Sequence, residues 1–144
     1  MSSADNTKLQ FEIIARDFIR AGDAAATIKR YLGQHGFDPE LVRRAAVAAY
    51  EAEMNIVIHS RGGMLTALIE PDAILITAVD VGPGIPDIPL AMTEGFSTAD
   101  EEARRMGFGA GMGLPNMKKC SDKFEISSQR GTGTMVRMTL NRHK

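Results

Sequence analysis

The first part of the chain alternates apolar and polar residues with a period of two, which predicts a half-buried strand. The apolar positions are Leu9, Phe11, Ile13 and Ala15. A helix is predicted next, capped by Asp23 and extending to about Leu32, with Gly33 and Gly36 ending it. The chain therefore begins with a strand followed by a helix.

A longer apolar stripe with helical spacing follows these two elements. Asp38, Pro39 and Glu40 predict its start, because aspartate caps helices, proline suits the first helical position and an acid favours the first turn. The helix is predicted to run to about His59. The apolar positions of its inner face are Leu41, Val42, Ala45, Ala48, Ala49, Ala52 and Ile56.

The rest of the chain predicts two hairpins around an irregular stretch. Strands are expected at residues 64–70 and 73–79 and again at 124–128 and 134–140. A short helix is expected from about Leu114 to about Cys120. This order favours a single α/β domain over residues 1–144, a two-layer sandwich with helices on one face of a mixed, mostly antiparallel sheet.

Charge and composition exclude several classes of protein. Seventeen basic and eighteen acidic residues give a formal charge of −1, which argues against a nucleic-acid partner or an anionic membrane held by bulk electrostatics. One cysteine, Cys120, excludes an intramolecular disulfide framework and a multi-cysteine zinc site. No secretory signal and no apolar run near the roughly 20 residues of a membrane span are present. We therefore expect a soluble, cytoplasmic protein.

Glu51 and Asn55 are the first candidates for chemistry. They lie four residues apart on the long helix and therefore share a face, amid mostly apolar neighbours. One interpretation places both on the solvent-exposed stripe beside Glu53. The other makes them a site at the edge of a cleft, where an amide oxygen suits Mg²⁺ and a carboxylate orients or deprotonates a hydroxyl.

Asp80 ends an apolar strand and is followed by a sharp turn with glycine at Gly82 and Gly84. The simpler interpretation is a turn with a capping aspartate. The alternative is a carboxylate at the bottom of a flat pocket, accepting a hydrogen bond from an exocyclic amine. Such a group discriminates well, because the wrong ligand leaves it unpaired.

Glycines also alternate just before the predicted short helix, at Gly107, Gly109, Gly111 and Gly113. Backbone N–H groups without side chains, at a helix amino terminus, make an anion site. The alternative is a surface loop. The spacing matches neither the dinucleotide-binding GxGxxG motif nor the GxxxxGK[ST] P-loop. The sequence from Gly131 to Thr134, taken alone, is a plausible hairpin turn.

Taken together, these four segments resemble the ATP-binding domain of the GHKL superfamily, which includes gyrase, Hsp90, histidine kinases and MutL. The matching residues are Glu51 and Asn55 on the helix, Asp80, Gly82 and Gly84 in the first glycine box, Gly109, Gly111, Gly113 and Leu114 in the second, and Gly131, Gly133 and Thr134 in the third. The resemblance extends over about residues 8–140 and implies the Bergerat ATP-binding fold.

Within that superfamily the chain looks most like the small anti-sigma-factor and switch serine/threonine kinases of bacteria. Residues 50–59 resemble the asparagine-box helix of that group, and residues 94–98 are closest to its switch-kinase branch. Tyr50 and Met54 depart from the pattern, where smaller polar residues are usual.

The resemblance implies a role for each residue. ATP and Mg²⁺ are the implied cofactors, with Asn55 on the metal and Glu51 orienting the incoming hydroxyl or accepting its proton. Asp80 receives the adenine amine, supported through water by Thr134, and the alternating glycines present N–H groups to the phosphates. Thr98 borders the lid. Arg105, with its neighbour Arg104, either stabilises the γ-phosphate or belongs to a solvated pair balanced by acidic residues.

The implied activity is phosphoryl transfer to a serine or threonine of a STAS-domain antagonist protein in a partner-switching module. Two rivals remain open: a nucleotide-gated module that binds a sigma factor with little transfer, and a histidine-kinase catalytic domain acting on a partner in trans. The presence of Glu51 favours the kinase, because nucleotide binding alone needs Asn55 and Asp80 but no base. The resemblance leaves open whether the chain binds a sigma factor directly and whether it forms a homodimer.

Overall fold

The computed structural model describes residues 7–85, 88–93 and 113–142, which form a five-stranded sheet and its helices. The elements in chain order are β1 (Thr7–Ile13), α1 (Asp23–Gln34), α2 (Pro39–His59), β2 (Gly63–Ile69), β3 (Ala73–Asp80), α3 (Ile88–Ala91), α4 (Gly113–Cys120), β4 (Lys123–Gln129) and β5 (Gly133–Asn141). In these described ranges no helix has the length and apolar character that crossing a bilayer requires.

The strands are arranged in the order β1-β2-β3-β5-β4, and every pairing among the described strands is antiparallel. β3 lies at the centre. In its pairing with β5, Val79 stands opposite Met135, so the end of β3 lies beside the start of β5. The predicted α/β sandwich is confirmed, and its register brings Asp80 next to the turn before β5.

The core lies between one face of the sheet and α2. Along β2, most of β3 and β5, buried residues alternate with partly or fully exposed ones, whereas in β1 only Ile13 is buried. The largest fully buried side chains are Ile28, Leu32, Ile56, Val57, Leu65, Ile69, Ile74, Ile76, Met117, Met138 and Leu140. The buried residues of α2 that face this core include four alanines, Ala45, Ala48, Ala49 and Ala52, whose small side chains let the helix approach the sheet closely.

The predicted start and end of α2 are confirmed. Asp38 is the residue before the helix, and its side chain accepts hydrogen bonds from the backbone N–H groups of Glu40 and Leu41, at 3.2 and 3.3 Å. Pro39 occupies the first helical position, where its missing N–H costs nothing. The helix ends at His59, as the sequence predicted.

The predicted start of α1 is wrong. Asp23 lies inside the helix, and the residue before it is Gly22, in a left-handed conformation with φ 99° and no side-chain cap. Gly33 also lies within the helix, which continues to Gln34. Gly36 follows the end with φ 76°, which is the conformation expected of a terminating glycine.

The cap of α1 comes instead from Glu53, on the neighbouring helix α2. Its carboxylate accepts hydrogen bonds from the N–H groups of Gly22, Ala24 and Ala25, at 3.0, 3.3 and 3.0 Å. Glu53 is 2% exposed. The interpretation that placed Glu51 and Asn55 on a solvent-exposed stripe beside Glu53 is therefore wrong for Glu53, and the other two side chains are half-buried.

The bounds of β2 to β5 differ from the predictions by at most one residue, whereas β1 ends two residues earlier than predicted. β2 and β3 are Gly63–Ile69 and Ala73–Asp80, and the final hairpin is Lys123–Gln129 and Gly133–Asn141. Ala15 lies beyond the end of β1. The short helix α3, Ile88–Ala91, was not predicted and lies in the stretch expected to be irregular.

Candidate functional site

The first cluster of candidate residues forms where α2 faces the start of α4. A methyl group added at Gly113, the first residue of α4, would lie 3.6 Å from Asn55 Oδ1 and 3.6 Å from Glu51 Oε1. Both side chains are half-buried. Glu51 and Asn55 therefore direct an oxygen each toward the amino terminus of a helix, where backbone N–H groups gather.

The second oxygen of Glu51 is held by α4 itself. Asn116 Nδ2 donates to Glu51 Oε2 at 3.0 Å. Sequence patterns indicated Asn116 only as part of a helix start, because nothing in its spacing reveals a contact with a residue 65 positions earlier. The carboxylate therefore has one oxygen fixed and the other facing Gly113.

Asn55 has the chemistry of a magnesium ligand. Its side chain makes no hydrogen bond within residues 7–85, 88–93 and 113–142, so its amide oxygen is available to an ion. Over the same ranges, no three His, Cys, Asp or Glu side chains converge on a metal site. Mg²⁺ commonly takes most of its ligands from water and phosphate, with few from protein side chains.

The second cluster surrounds Asp80 at the end of β3. Asp80 Oδ1 accepts a hydrogen bond from the backbone N–H of Thr134 at 3.0 Å. Burial raises the pKa of Asp80 above its usual 3.8, and the bond from Thr134 opposes that rise. Oδ2 receives no hydrogen bond from the described part of the chain. One oxygen is thus fixed, and the other is available to a donor on a ligand.

Glycine is required where the first and third glycine boxes meet. A methyl group at Gly133, whose φ is 152°, would overlap the backbone oxygen of Asp80. One at Gly84, with φ 78°, would lie 2.6 Å from the backbone oxygen of Gln129. These backbones approach too closely for any larger residue, which explains why the motif needs glycine there.

Hydrogen bonds join the same two segments. Gly82 N–H donates to the Thr132 oxygen at 3.0 Å, and Gly131 N–H donates to the Pro83 oxygen at 2.9 Å. The boxes therefore form one unit where β3 ends and β5 begins, beside each other in the middle of the sheet.

Ser128 adds a side-chain link that the sequence did not indicate. Its Oγ accepts from the N–H of Ile85 at 2.6 Å and lies 3.0 Å from Thr134 Oγ1. Nothing but its place one residue before the end of β4 distinguishes this serine in the sequence. It fixes the Thr134 hydroxyl relative to the loop that follows Asp80.

Leu114 is buried in the core, so its side chain anchors α4. Four of the candidate residues, namely Thr98, Arg105, Gly109 and Gly111, lie outside the described residues. The structure thus brings Glu51, Asn55 and Gly113 together in one cluster. It brings Asp80, Gly82, Gly84 and Thr134 together in the other.

Comparison with known proteins gives a family match over most of the chain. Residues 27–144 match the family described as histidine kinase-, DNA gyrase B-, and HSP90-like ATPases. The chain is 39% identical over 109 residues to the anti-sigma F factor of Thermoanaerobacter sp. (strain X514), covering 71% of this chain and 73% of that protein. It is 32% identical over 124 residues to the serine/threonine-protein kinase RsbT of Bacillus subtilis (strain 168), covering 83% and 85%.

A solved structure has a similar fold. The crystal structure of the RsbU and RsbW domains of Rv1364c from Mycobacterium tuberculosis matches with a TM-score of 0.57 at 17% identity. The match covers 92% of this chain and 32% of that one, so the chain spans about a third of that protein's length. At this identity the likeness concerns the fold alone.

Proposed function

Since the chain belongs to the family of histidine kinase-, DNA gyrase B- and HSP90-like ATPases, we propose that it is an ATP-dependent serine/threonine kinase of a bacterial partner-switching module. Its substrate is a STAS-domain antagonist protein, and the result of the transfer is control of an alternative sigma factor. Support comes from similar proteins named as an anti-sigma F factor and a serine/threonine-protein kinase.

The observation that carries the proposal is the convergence of Glu51, Asn55 and Gly113. Phosphoryl transfer needs mainly positioning and neutralisation of charge. The N–H groups at the start of α4 are suited to phosphate oxygens, and the amide oxygen of Asn55 is suited to Mg²⁺. Bound there, Mg²⁺ would neutralise phosphate charge. Glu51 Oε1 faces the same point, where it orients the substrate hydroxyl or accepts its proton.

At the other end of the nucleotide, Asp80 recognises the adenine amine. Thr134 N–H occupies Oδ1, which leaves Oδ2 for the amine of the base. The close packing of Gly84 and Gly133 holds this carboxylate at the end of the central strand β3. An adenine amine supplies the donor that Oδ2 lacks, whereas the carbonyl of guanine at the same position would repel it.

Four further residues complete the proposed site on the strength of the resemblance alone. Gly109 and Gly111 present N–H groups to the phosphates, and Thr98 borders the lid. Arg105 is proposed to contact the γ-phosphate, and a solvated pair with Arg104 remains its alternative.

The test is a transfer assay with γ-labelled ATP, Mg²⁺ and purified STAS-domain proteins. Glu51→Ala should keep its ATP affinity, measured by calorimetry, and lose transfer, because the base acts on the hydroxyl and not on the nucleotide. Glu125→Ala, at an exposed position of β4, is the matched control. Equal transfer by Glu51→Ala would remove the base assignment. Acid-labile phosphate in place of acid-stable phosphoserine would favour a histidine-kinase domain acting in trans.

The second candidate is a nucleotide-gated module that binds a sigma factor and transfers phosphate slowly or not at all. The name of the 39% identical relative, an anti-sigma factor, favours it. Tight, nucleotide-dependent complex formation with a sigma factor, without transfer to any STAS protein, is the result that would select it.

A homodimer is also part of the proposal. Val79, on the face of the sheet away from α2, is 48% exposed and is a residue that such a contact could cover. The mass of the purified protein by light scattering tests it, and a monomer over the full concentration range would reject it.

A further inference from the structure

We propose that Asn116 is a positioning residue for phosphoryl transfer, which acts by fixing the carboxylate of Glu51. This inference rests on the function proposed above, and it assigns to Asn116 a role that the motif residues do not include. The contact that carries it is the hydrogen bond from Asn116 Nδ2 to Glu51 Oε2, at 3.0 Å.

This hydrogen bond makes the two oxygens of Glu51 different. Oε2 is held by Asn116, whereas Oε1 points toward the start of α4, 3.6 Å from where a Gly113 side chain would begin. A free glutamate side chain samples many rotamers, and ordering it costs entropy. Asn116 orders it before substrate arrives, so the oxygen that must meet the hydroxyl is already aimed.

Asn116 and Gly113 lie three residues apart on α4 and therefore on the same side of that helix. The element that presents N–H groups to phosphate thus also holds the base. One helix therefore sets both the position of the phosphate site and the hydrogen bond that holds the carboxylate of Glu51.

α4 is itself anchored against α2 at its far end. Arg44 Nη1, on α2, donates to the backbone oxygen of Cys120 at 3.2 Å and pairs with Asp122 Oδ2 at 3.5 Å. Met117, between the two ends, is fully buried. Asn116 therefore donates from a rigid support, which is what a positioning residue needs.

A neutral amide suits this task better than a cation. It donates a directional hydrogen bond to one oxygen without placing a full positive charge beside the carboxylate, which would weaken it as a proton acceptor. The side chain of Asn116 is half-buried, so the bond is partly shielded from competition by water.

The experiment compares Asn116→Leu, which has similar volume but no donor, with wild type in the transfer assay. We expect the turnover rate to fall about tenfold or more, because the base is no longer aimed, while the affinity for ATP changes less than about twofold. Asn116→Gln, which keeps the donor, should recover part of the rate. Asn141→Leu, at an exposed position at the end of β5, is the matched control.

The decisive arm repeats Asn116→Leu in a Glu51→Gln background. If Asn116 acts through Glu51, adding Asn116→Leu to Glu51→Gln should lower the transfer rate that Glu51→Gln retains by less than about twofold. A full additional loss in that background would overturn the inference, as would wild-type turnover by Asn116→Leu. A parallel loss of ATP affinity and melting temperature would make the role structural and overturn it too. Wild type without any transfer would instead reject the proposed kinase activity, and this inference with it.

Discussion

Glu53 offers the sharpest test of how the fold is stabilised, because its buried carboxylate caps the amino terminus of the neighbouring helix α1. It accepts three backbone hydrogen bonds, two at Oε2 from Gly22 and Ala24 and one at Oε1 from Ala25. α1 has no side-chain cap of its own. The free N–H groups at its start therefore depend on a residue of another helix.

Glu53→Gln keeps the size of this side chain and removes one acceptor. If the amide oxygen takes the place of Oε2, the new NH₂ group faces the N–H of Ala25, and two donors meet without an acceptor. Leaving a buried donor unsatisfied costs about 1–3 kcal/mol. The glutamine is neutral, so the variant no longer buries a charge, and this offsets part of that cost. At pH 7 we expect the free energy of unfolding to fall by about 2 kcal/mol, which lowers the melting temperature by about 4–8 °C in a chain of this length.

The pH dependence has a defined sign. Burial raises the pKa of Glu53 above its usual 4.5, against the opposing effect of its three backbone hydrogen bonds. The folded state therefore holds this proton more tightly than the unfolded state. The resulting stability is complete below about pH 4.5 and is lost as the pH rises through the folded pKa. Glutamine does not titrate. The difference in the free energy of unfolding between wild type and Glu53→Gln should therefore become smaller as the pH rises.

Chemical denaturation followed by circular dichroism, at pH 4 and at pH 7, measures both effects. Glu125→Gln is the matched control, since its side chain is exposed on β4 and should change stability by less than about 0.5 kcal/mol. A Glu53→Gln variant as stable as wild type at pH 7 would refute the capping role. A difference in the free energy of unfolding that grows from pH 4 to pH 7 would refute the direction of the pKa shift.

Three other substitutions test separate parts of the structure. Asp80→Asn should reduce the preference for ATP over GTP in a binding assay. The oxygen of the new asparagine stays with the N–H of Thr134, and its NH₂ group faces the base. Unchanged selectivity would contradict the adenine role. Gly133→Ala should abolish ATP binding in calorimetry, since the methyl group displaces the backbone of Asp80, and wild-type affinity would refute this. Asp38→Ala should cost about 1 kcal/mol in denaturation, through loss of the α2 cap, and an unchanged midpoint would show that the cap is dispensable.

The elements whose signals are local could be predicted from the sequence. α2 is the clearest case, because Asp38 accepts hydrogen bonds from N–H groups two and three residues later and Pro39 suits the first helical position. No distant contact is needed. The two hairpins could also be predicted, because alternating patterns and short turns are local signals. Most strand bounds differed from the prediction by at most one residue, whereas β1 ends at Ile13, two residues before the predicted Ala15.

The start of α1 could not be predicted, because its cap comes from α2. Asp23 has the right side chain for a cap, yet it lies in the first turn, and Glu53 supplies the acceptor from about 30 residues away. Sequence alone assigns Glu53 to the surface, since buried glutamate is rare. Only the packing of α1 on α2 reveals that its burial is compensated by three hydrogen bonds.

The candidate site likewise combines a motif that the sequence shows with contacts that only the pairing of the strands reveals. The resemblance implied that Asp80 and Thr134 belong to one site, but which of their atoms meet depends on how β3 pairs with β5. In the observed register Val79 lies opposite Met135, and this brings the N–H of Thr134 to Oδ1 of Asp80. A slip of one residue would turn every side chain of β5 to the other face of the sheet. The recognition proposed for Asp80 therefore depends on the buried side chains that fix this register, Ile76 and Met138 among them.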